Sequence, residues 1–324
     1  LNYGKTTASN AGLMTFNGLS SNGTTFTLSN GTYTSALTQS YNGLVVLGAN
    51  ATLTGTQITT ASTVAGSANR YNLTVNGPLT TGGSMTSLGT VSVSGLATLG
   101  GTQVTSGGAQ TYTGNVVMQD STGTFGFNST LGGTGATIGF AGTLTSPTTK
   151  ALTLNAGTTG DVTLVTALAN TATYTDVTVT GANLSLQAIA TTNSLALNPT
   201  VAGTVGLISG ASSTLTKGAA GVMNLTAANT YGGNTTITAG ILKLTGSGSL
   251  GAGTYAGNIA ISSGAQLQDS SSTAQTLSGI ISGAGHVVKD TSTSVLTLSG
   301  LNTWSGNLTV NTGTVVVTQN NGLG

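Results

Sequence analysis

The sequence predicts an all-β protein in which short strands stack in successive turns to form a β-solenoid. Three observations lead to this prediction. β-branched residues and leucine recur between glycine and asparagine turn signals, helix-favouring residues are scarce, and the pattern repeats along the chain. Of the 324 residues, 51 are glycine and only 3% are charged, whereas about a quarter of the residues in ordinary soluble domains are charged. Ordinary soluble enzymes do not have this composition.

The chain is expected to fold and to be exported. Hydrophobic residues make up 37% of it and glutamate is absent, whereas disordered segments combine low hydrophobicity with high net charge. The absence of cysteine excludes disulfide scaffolds and thiolate metal sites. No apolar run approaches the roughly 20 residues that span a bilayer. Because the sequence begins at Leu1 without a basic and apolar leader, we interpret it as a mature or excised piece of an exported protein.

The charge pattern argues against nucleic acid as a partner. The formal net charge is only +1, and nucleic-acid binding needs clustered lysine and arginine to displace counterions from phosphates. The basic residues lie far apart in the sequence: Lys5, Arg70, Lys150, Lys217, Lys243 and Lys289.

Individual strands are predicted where apolar and polar residues alternate. A period of two buries one face of a strand and exposes the other. Glycine and asparagine between the strands suit corners that need a positive φ. In chain order, the clearest segments are residues 25–28, 73–75, 91–93, 152–154, 162–164, 177–179 and 184–186.

The strongest internal repeat lies in the last third of the chain. Asn229-Thr230-Tyr231 is echoed by Asn302-Thr303-Trp304, an offset of 73 residues, and a lysine precedes each copy, at Lys217 and Lys289. One such unit cannot bury its apolar face alone, whereas stacked turns bury it against their neighbours. With roughly 20 to 25 residues per turn and a rise of about 4.8 Å, we expect an elongated rod of about 13 to 16 turns and roughly 60 to 80 Å. Like charges stacked at that spacing would repel each other, which accounts for the scarcity of charge.

Two parts of the chain resemble known bacterial repeats, which divides it into residues 1–100, 101–206 and 207–324. The last segment resembles the autotransporter-associated β-strand repeat and matches its pattern at nine residues. The middle segment resembles the repeats of filamentous-haemagglutinin-like surface proteins, through residues 110–116, 124–127, 151–157 and 160–164. The first segment is predicted to form solenoid turns or a cap, and it shares only the general composition of such repeats. The matching residues of the last segment are Lys217, Asn229, Thr230, Tyr231, Gly233, Ile237, Gly240, Leu242 and Leu244.

The resemblance implies a right-handed parallel β-helix from an exported bacterial protein, an adhesin or its stalk, located outside the cell or on its outer surface. These families share no catalytic residues that could be carried over. We therefore expect a structural and adhesive protein that is not an enzyme and has no cofactor or metal. Its expected partners are host or surface glycans and proteins, or further copies of itself.

An enzymatic alternative depends on the few residues that could perform acid–base chemistry. Glycoside cleavage usually requires paired carboxylates. Asp161 and Asp176 would pair if they fell on neighbouring turns, which keeps a carbohydrate-active β-helix enzyme as an alternative. We interpret the lone His286 as a loop residue and the GxGxxG match at residues 246–251 as a corner, because no helix pattern follows it. The acidic residues, spread over different repeats, are Asp120, Asp161, Asp176, Asp269 and Asp290.

Two surface functions are also predicted from the sequence. Tyr231 and Trp304 occupy equivalent repeat positions, where they would either stack on a carbohydrate or share a packing role at a corner. Triplets of the form Thr-x-Thr, at residues 52–54, 143–145 and 178–180, keep an ice-binding solenoid as a further alternative. Open solenoid ends invite another chain, so head-to-tail stacking would use Leu13, Met14, Phe16, Val315, Val316 and Val317.

Overall fold

The chain forms a parallel β-solenoid, which confirms the predicted fold class. A computed structural model describes residues 7–8, 14–16, 19–21, 25–29, 31–119, 123–168, 174–291, 293–320 and 322–323. These residues form 39 strands and a single 3-10 turn at Gly251–Gly253, and every strand pair whose register is defined is parallel. There are about 14 turns, within the predicted range. Within the described residues, no helix is long and apolar enough to cross a membrane.

The chain divides into two compact units. Among the described residues, the first unit ends at Thr166, and the second contains Ala167, Leu168 and residues 174 onward. Strand pairing continues across residue 100, where β15 pairs with β18, and across residue 206, where β25 pairs with β27. Pairing therefore runs past both bounds of the three sequence segments, and the division by repeat type stays a prediction.

The first unit has three faces, each built from every third strand. One face is β1-β4-β7-β10-β13-β16-β19-β22, the next is β2-β5-β8-β11-β14-β17-β20-β23, and the third is β3-β6-β9-β12-β15-β18-β21. Its strands are β1 Thr7–Ala8, β2 Met14–Phe16, β3 Leu19–Ser21, β4 Thr25–Leu28, β5 Gly31–Ser35, β6 Thr38–Tyr41, β7 Leu44–Leu47, β8 Ala51–Thr54, β9 Gln57–Thr60, β10 Val64–Ala65, β11 Leu73–Asn76, β12 Leu79–Thr81, β13 Met85–Leu88, β14 Val91–Val93, β15 Ala97–Leu99, β16 Gln103–Ser106, β17 Gln110–Tyr112, β18 Val116–Met118, β19 Thr124–Asn128, β20 Ile138–Phe140, β21 Leu144–Thr145, β22 Lys150–Asn155 and β23 Val162–Leu164.

The second unit continues the same plan with two long strands that bend around corners. β25 pairs in turn with β26, β27 and β28, so this one strand contributes to three faces. The strands of this unit are β24 Tyr174–Leu186, β25 Ile189–Val205, β26 Ile208–Ser209, β27 Thr214–Lys217, β28 Val222–Leu225, β29 Thr235–Ile237, β30 Ile241–Gly246, β31 Thr254–Tyr255, β32 Ile259–Ile261, β33 Gln266–Ser271, β34 Gln275–Leu277, β35 Ile281–Ser282, β36 His286–Lys289, β37 Val295–Leu298, β38 Leu308–Val310 and β39 Thr314–Val317.

The core of each unit consists of inward columns of apolar side chains. Along the strands, buried residues alternate with partly exposed ones, as the period of two predicts. In the first unit, Tyr112 and Phe140 stack on adjacent turns with ring centroids 5.0 Å apart, and Phe127 packs edge-on against Phe140 at 4.9 Å. Full burial of one such large apolar side chain contributes about 1.5 to 3 kcal/mol. Successive turns therefore stabilise each other.

The sequence repeat in the second unit does not coincide with a whole number of turns. β27 pairs with β29 just as its repeat equivalent β36 pairs with β38, and the pair β28–β30 corresponds to β37–β39. However, β27 belongs to the face β27-β29-β32-β35, whereas β36 belongs to the face β28-β30-β33-β36-β38. Equivalent strands therefore lie on successive faces of the solenoid.

Candidate functional site

The aromatic residues considered for carbohydrate binding are buried. Tyr231 has 0% and Trp304 has 2% of its surface exposed. The Tyr231 hydroxyl lies 2.8 Å from the Thr235 hydroxyl, and its ring packs against Tyr255 at a centroid distance of 5.5 Å. The prediction that these two side chains stack on a surface-bound carbohydrate is therefore wrong, because neither ring reaches the surface. The structure supports the alternative of a shared packing role at a corner.

The equivalent asparagines of the two copies also serve the stack. The side-chain oxygen of Asn229 accepts from the Ile208 N–H at 2.7 Å, and that of Asn302 accepts from the Ile281 N–H at the same distance. Each amide thus satisfies a buried backbone donor of the preceding turn, which would otherwise be costly. The two bonds match at the repeat offset, so the sequence repeat is also a repeat of hydrogen bonds.

The carboxylates of Asp176 and Asp290 contact adjacent turns. The Asp176 carboxylate accepts from Asn193 at 2.7 Å and from Ser194 at 2.5 Å. The carboxylate of Asp290 accepts from Gln268 of one neighbouring turn and from Asn311 of the other. Asp120 lies outside the described residues. Asp161 and Asp176 belong to different compact units, and the contacts of Asp176 are those of a cross-turn bridge.

The other motifs considered for chemistry also lie within the stack. His286 begins strand β36 instead of lying in a loop, and its Nδ1 accepts from the Asn307 N–H at 3.1 Å. The glycine-rich stretch 246–251 is a corner between strands β30 and β31, as predicted. Within the described part of the chain, no three acidic or histidine side chains lie close enough together to hold a metal ion.

Buried lysines are the feature that the sequence reasoning missed. Lys150, Lys217 and Lys289 are at most 2% exposed. The Lys217 Nζ donates to the carbonyls of Gly218, Ala219 and Ala239, at 2.6 to 3.0 Å. Burial lowers the pKa of Lys217 to about 8. The strand pattern contained the signal, because Lys217 stands two residues after buried Leu215, on the inward side of β27.

The second repeat adds an acid to this arrangement. Lys289 pairs in register with Asp269 of the preceding turn, and the Lys289 Nζ lies 3.6 Å from Oδ2 of Asp269. Both side chains are almost completely buried. Burial raises the pKa of the Asp269 carboxyl, against the lowering effects of the Ser271 N–H and of Lys289. This pair is the only ion pair between described residues.

The outer surface of the first unit carries a threonine ladder on strands β5, β8, β11, β14 and β17. Its side chains alternate with buried residues and are at least partly exposed. In register, the first column is Thr32, Thr52, Thr74, Ser92 and Thr111, and beside it stand Thr34, Thr54 and Asn76.

Strands β38 and β39 form an edge of the second unit. Among the described residues, β38 pairs only with β36, and β39 pairs only with β37. Val310, Val316 and Val317 on these strands are 37% to 48% exposed. Of the residues predicted at the opposite end, Leu13 lies outside the described residues, and Met14 and Phe16 lie in β2, for which only the backbone is described.

Comparison with protein-family models, with curated proteins and with solved structures found no match. The fold and the cross-turn contacts thus define the chain as a parallel β-solenoid. The resemblance to autotransporter-associated and haemagglutinin-like repeats stays a prediction.

Proposed function

We propose that this chain is a structural and adhesive segment of a bacterial surface or secreted fibre, located outside the cell. One observation carries the proposal: polar groups that could perform chemistry instead connect adjacent turns. Asp176, His286 and Asp290 all make such contacts. Every turn therefore adds a further interface with its neighbour, as expected of a scaffold whose stability grows with the number of its repeats.

The proposal includes head-to-tail stacking of copies. Unpaired strand edges are templates for pairing with another chain, and β38 and β39 combine such an edge with exposed valines. Val317 pairs in register with the buried Leu298, so a further turn would cover Val317 as β39 covers Leu298.

Electron microscopy of the material isolated from its source, without refolding, tests this function. We expect filaments of constant width, and we expect a Val317→Asp variant to form separate particles because the charge would be buried at the junction. Thr98→Asp is the matched control, because Thr98 lies in β15, which pairs with a strand on each side. This variant should still form filaments. Separate particles from the unaltered protein would contradict self-assembly. Particles attached to cells would still support an adhesive role.

The threonine ladder favours ice binding as a second candidate function. Its threonine and serine side chains present hydroxyls at the regular spacing of stacked strands, about 4.8 Å, on one face. Thermal hysteresis of the purified protein tests this function. We expect Thr52→Tyr to abolish any hysteresis and Thr216→Tyr, in β27 of the other unit, to preserve it. No hysteresis in the unaltered protein would exclude this candidate.

A further inference from the structure

The Asp269–Lys289 pair has a feature that an ordinary buried ion pair lacks. Oδ2 of Asp269 is buried and makes no hydrogen bond to any described group, although the Lys289 Nζ is only 3.6 Å away. A buried polar atom without a hydrogen bond is rare and needs an explanation. Replacing a buried ion pair by apolar residues is often neutral or stabilising, so stability alone does not explain the acid.

The first repeat shows that the lysine does not need a carboxylate. The residue in register with Lys217 in the preceding turn is Leu197, at the position equivalent to Asp269. Three backbone carbonyls satisfy the Lys217 ammonium instead. Both lysines are followed two residues later by a corner residue of positive φ, Ala219 at 57° and Thr291 at 56°. The two corners therefore share this positive-φ residue, and Asp269 stands in the second copy where Leu197 stands in the first.

The surroundings of Asp269 favour the protonated form of its carboxyl. In register, the buried Leu244 lies beyond Asp269, and Val310 of the edge strand β38 lies beyond Lys289. Burial disfavours the charged carboxylate and raises the pKa of Asp269, and a protonated carboxyl is the form that an amine attacks.

Neighbouring groups hold both reactants. The Ser271 N–H donates to Oδ1 of Asp269 at 3.1 Å, where negative charge would develop during attack on the carboxyl carbon. The Lys289 Nζ donates to the Ser294 hydroxyl at 3.1 Å, and that hydroxyl donates to the Ser271 carbonyl at 2.7 Å. The amine and the carboxyl are therefore held close together by one small hydrogen-bonded network.

We propose that Lys289 and Asp269 form an intramolecular amide bond that links two successive turns covalently. After proton transfer from Nζ to Oδ2, the nitrogen lone pair attacks Cγ of Asp269. The new C–N bond forms, the C–Oδ2 bond breaks, and the oxygen leaves with two protons as water. No oxidant or other reactant is needed. The inference is independent of the proposed function.

Intact mass spectrometry of the folded protein tests the cross-link. We expect a mass lower than the sequence mass by one water molecule. Trypsin cleaves after lysine, and Lys289 is the last basic residue, so after denaturation the cross-linked protein should give one peptide from Leu244 to the C-terminus. The full sequence mass in the unaltered protein would overturn the proposal.

Variants separate the amide from other dehydrations. Lys289→Arg and Asp269→Leu, the latter copying Leu197 of the first repeat, should each restore the full sequence mass. Lys217→Arg is the matched control and should retain the loss of water. Cyclisation of Asp269 onto its own backbone would also release water, but that loss would persist in Lys289→Arg and would leave cleavage after Lys289 intact. That result would also overturn the proposal.

Discussion

At the scale of single residues, several of the few charged side chains are buried inside the stack. Lys217 and Lys289 stand at inward positions, and the charged head of Lys217 is held by three carbonyls at a corner. A buried group of this kind needs all its partners, because an unpaired charge in an apolar region is costly. The low charge content of the sequence therefore does not mean that its charges are unimportant.

The depressed pKa of Lys217 predicts how stability depends on pH. The pKa is 10.5 in the reference state and about 8 in the folded chain. Between these values the unfolded chain binds more protons than the folded one, so stability should rise as pH increases from about 8 to 10.5 and should lack this contribution below that range. Chemical unfolding of the wild type and of Lys217→Met at several pH values measures the difference.

Lys243→Met is the control for this measurement, since Lys243 alternates with buried residues on the outer side of β30. The stability difference between the wild type and Lys217→Met should increase with pH, and that for Lys243→Met should change less. A constant difference for Lys217→Met would contradict the assigned burial of its ammonium group.

The aromatic cluster of the first unit gives a prediction for a single apolar residue. Phe127 contacts the rings of Tyr112, Phe125 and Phe140. Phe127→Ala should lower the free energy of unfolding by about 3 to 5 kcal/mol, because it leaves a cavity between turns. Thr153→Ala, at an outward position of the next turn, should change it by less than about 0.5 kcal/mol. Similar effects of both variants on denaturant unfolding would contradict the packing described.

At the scale of elements, a glycine ladder allows the turns to approach each other at one corner. A Cβ on Gly95 would lie 2.4 Å from the backbone of Gly77, and a Cβ on Gly114 would lie 2.2 Å from the Gly95 carbonyl oxygen. Gly233, Gly257, Gly279 and Gly300 form a similar ladder in the second unit. Glycine at these corners is required by the backbone of the neighbouring turn.

Gly114→Ala should destabilise the chain by about 1 to 3 kcal/mol, since the backbone must move to accept the methyl group. Gly126→Ala is the control, because a Cβ there would meet nothing within 4 Å. Thermal unfolding of the two variants measures the contrast. Equal midpoints would show that the corner is looser than described.

The elements show where sequence reasoning succeeds and where it stops. The alternation at residues 25–28 and 91–93 predicted strands β4 and β14 correctly, because a period of two directly reflects burial. The equivalence of Tyr231 and Trp304 was also visible, but not that both are buried. The shift of equivalent strands to successive faces could not be predicted, since it depends on the number of strands in each turn.

At the scale of the whole molecule, the number of turns followed from the sequence and the division into units did not. About 14 turns fit the expected turn length, because strand and corner lengths constrain it. The boundary near Thr166 carries no composition signal, whereas the style changes near residues 100 and 206 lie within continuous strand pairing. Changes in amino-acid composition along the chain reflect the side chains that face outward, whereas strand pairing defines where one turn stacks on the next.

Disulfide trapping is the most direct test of the in-register stack on which the cross-turn contacts depend. The chain has no cysteine, and Thr52 and Thr74 are register partners on adjacent turns, at a spacing of about 4.8 Å that a disulfide can bridge. Thr52→Cys/Thr74→Cys should form a disulfide on mild oxidation of the folded protein. Thr52→Cys/Ser92→Cys, with β11 between the two residues, should remain reduced. Failure of the first pair, or equal oxidation of both, would contradict the stack and the contacts described within it.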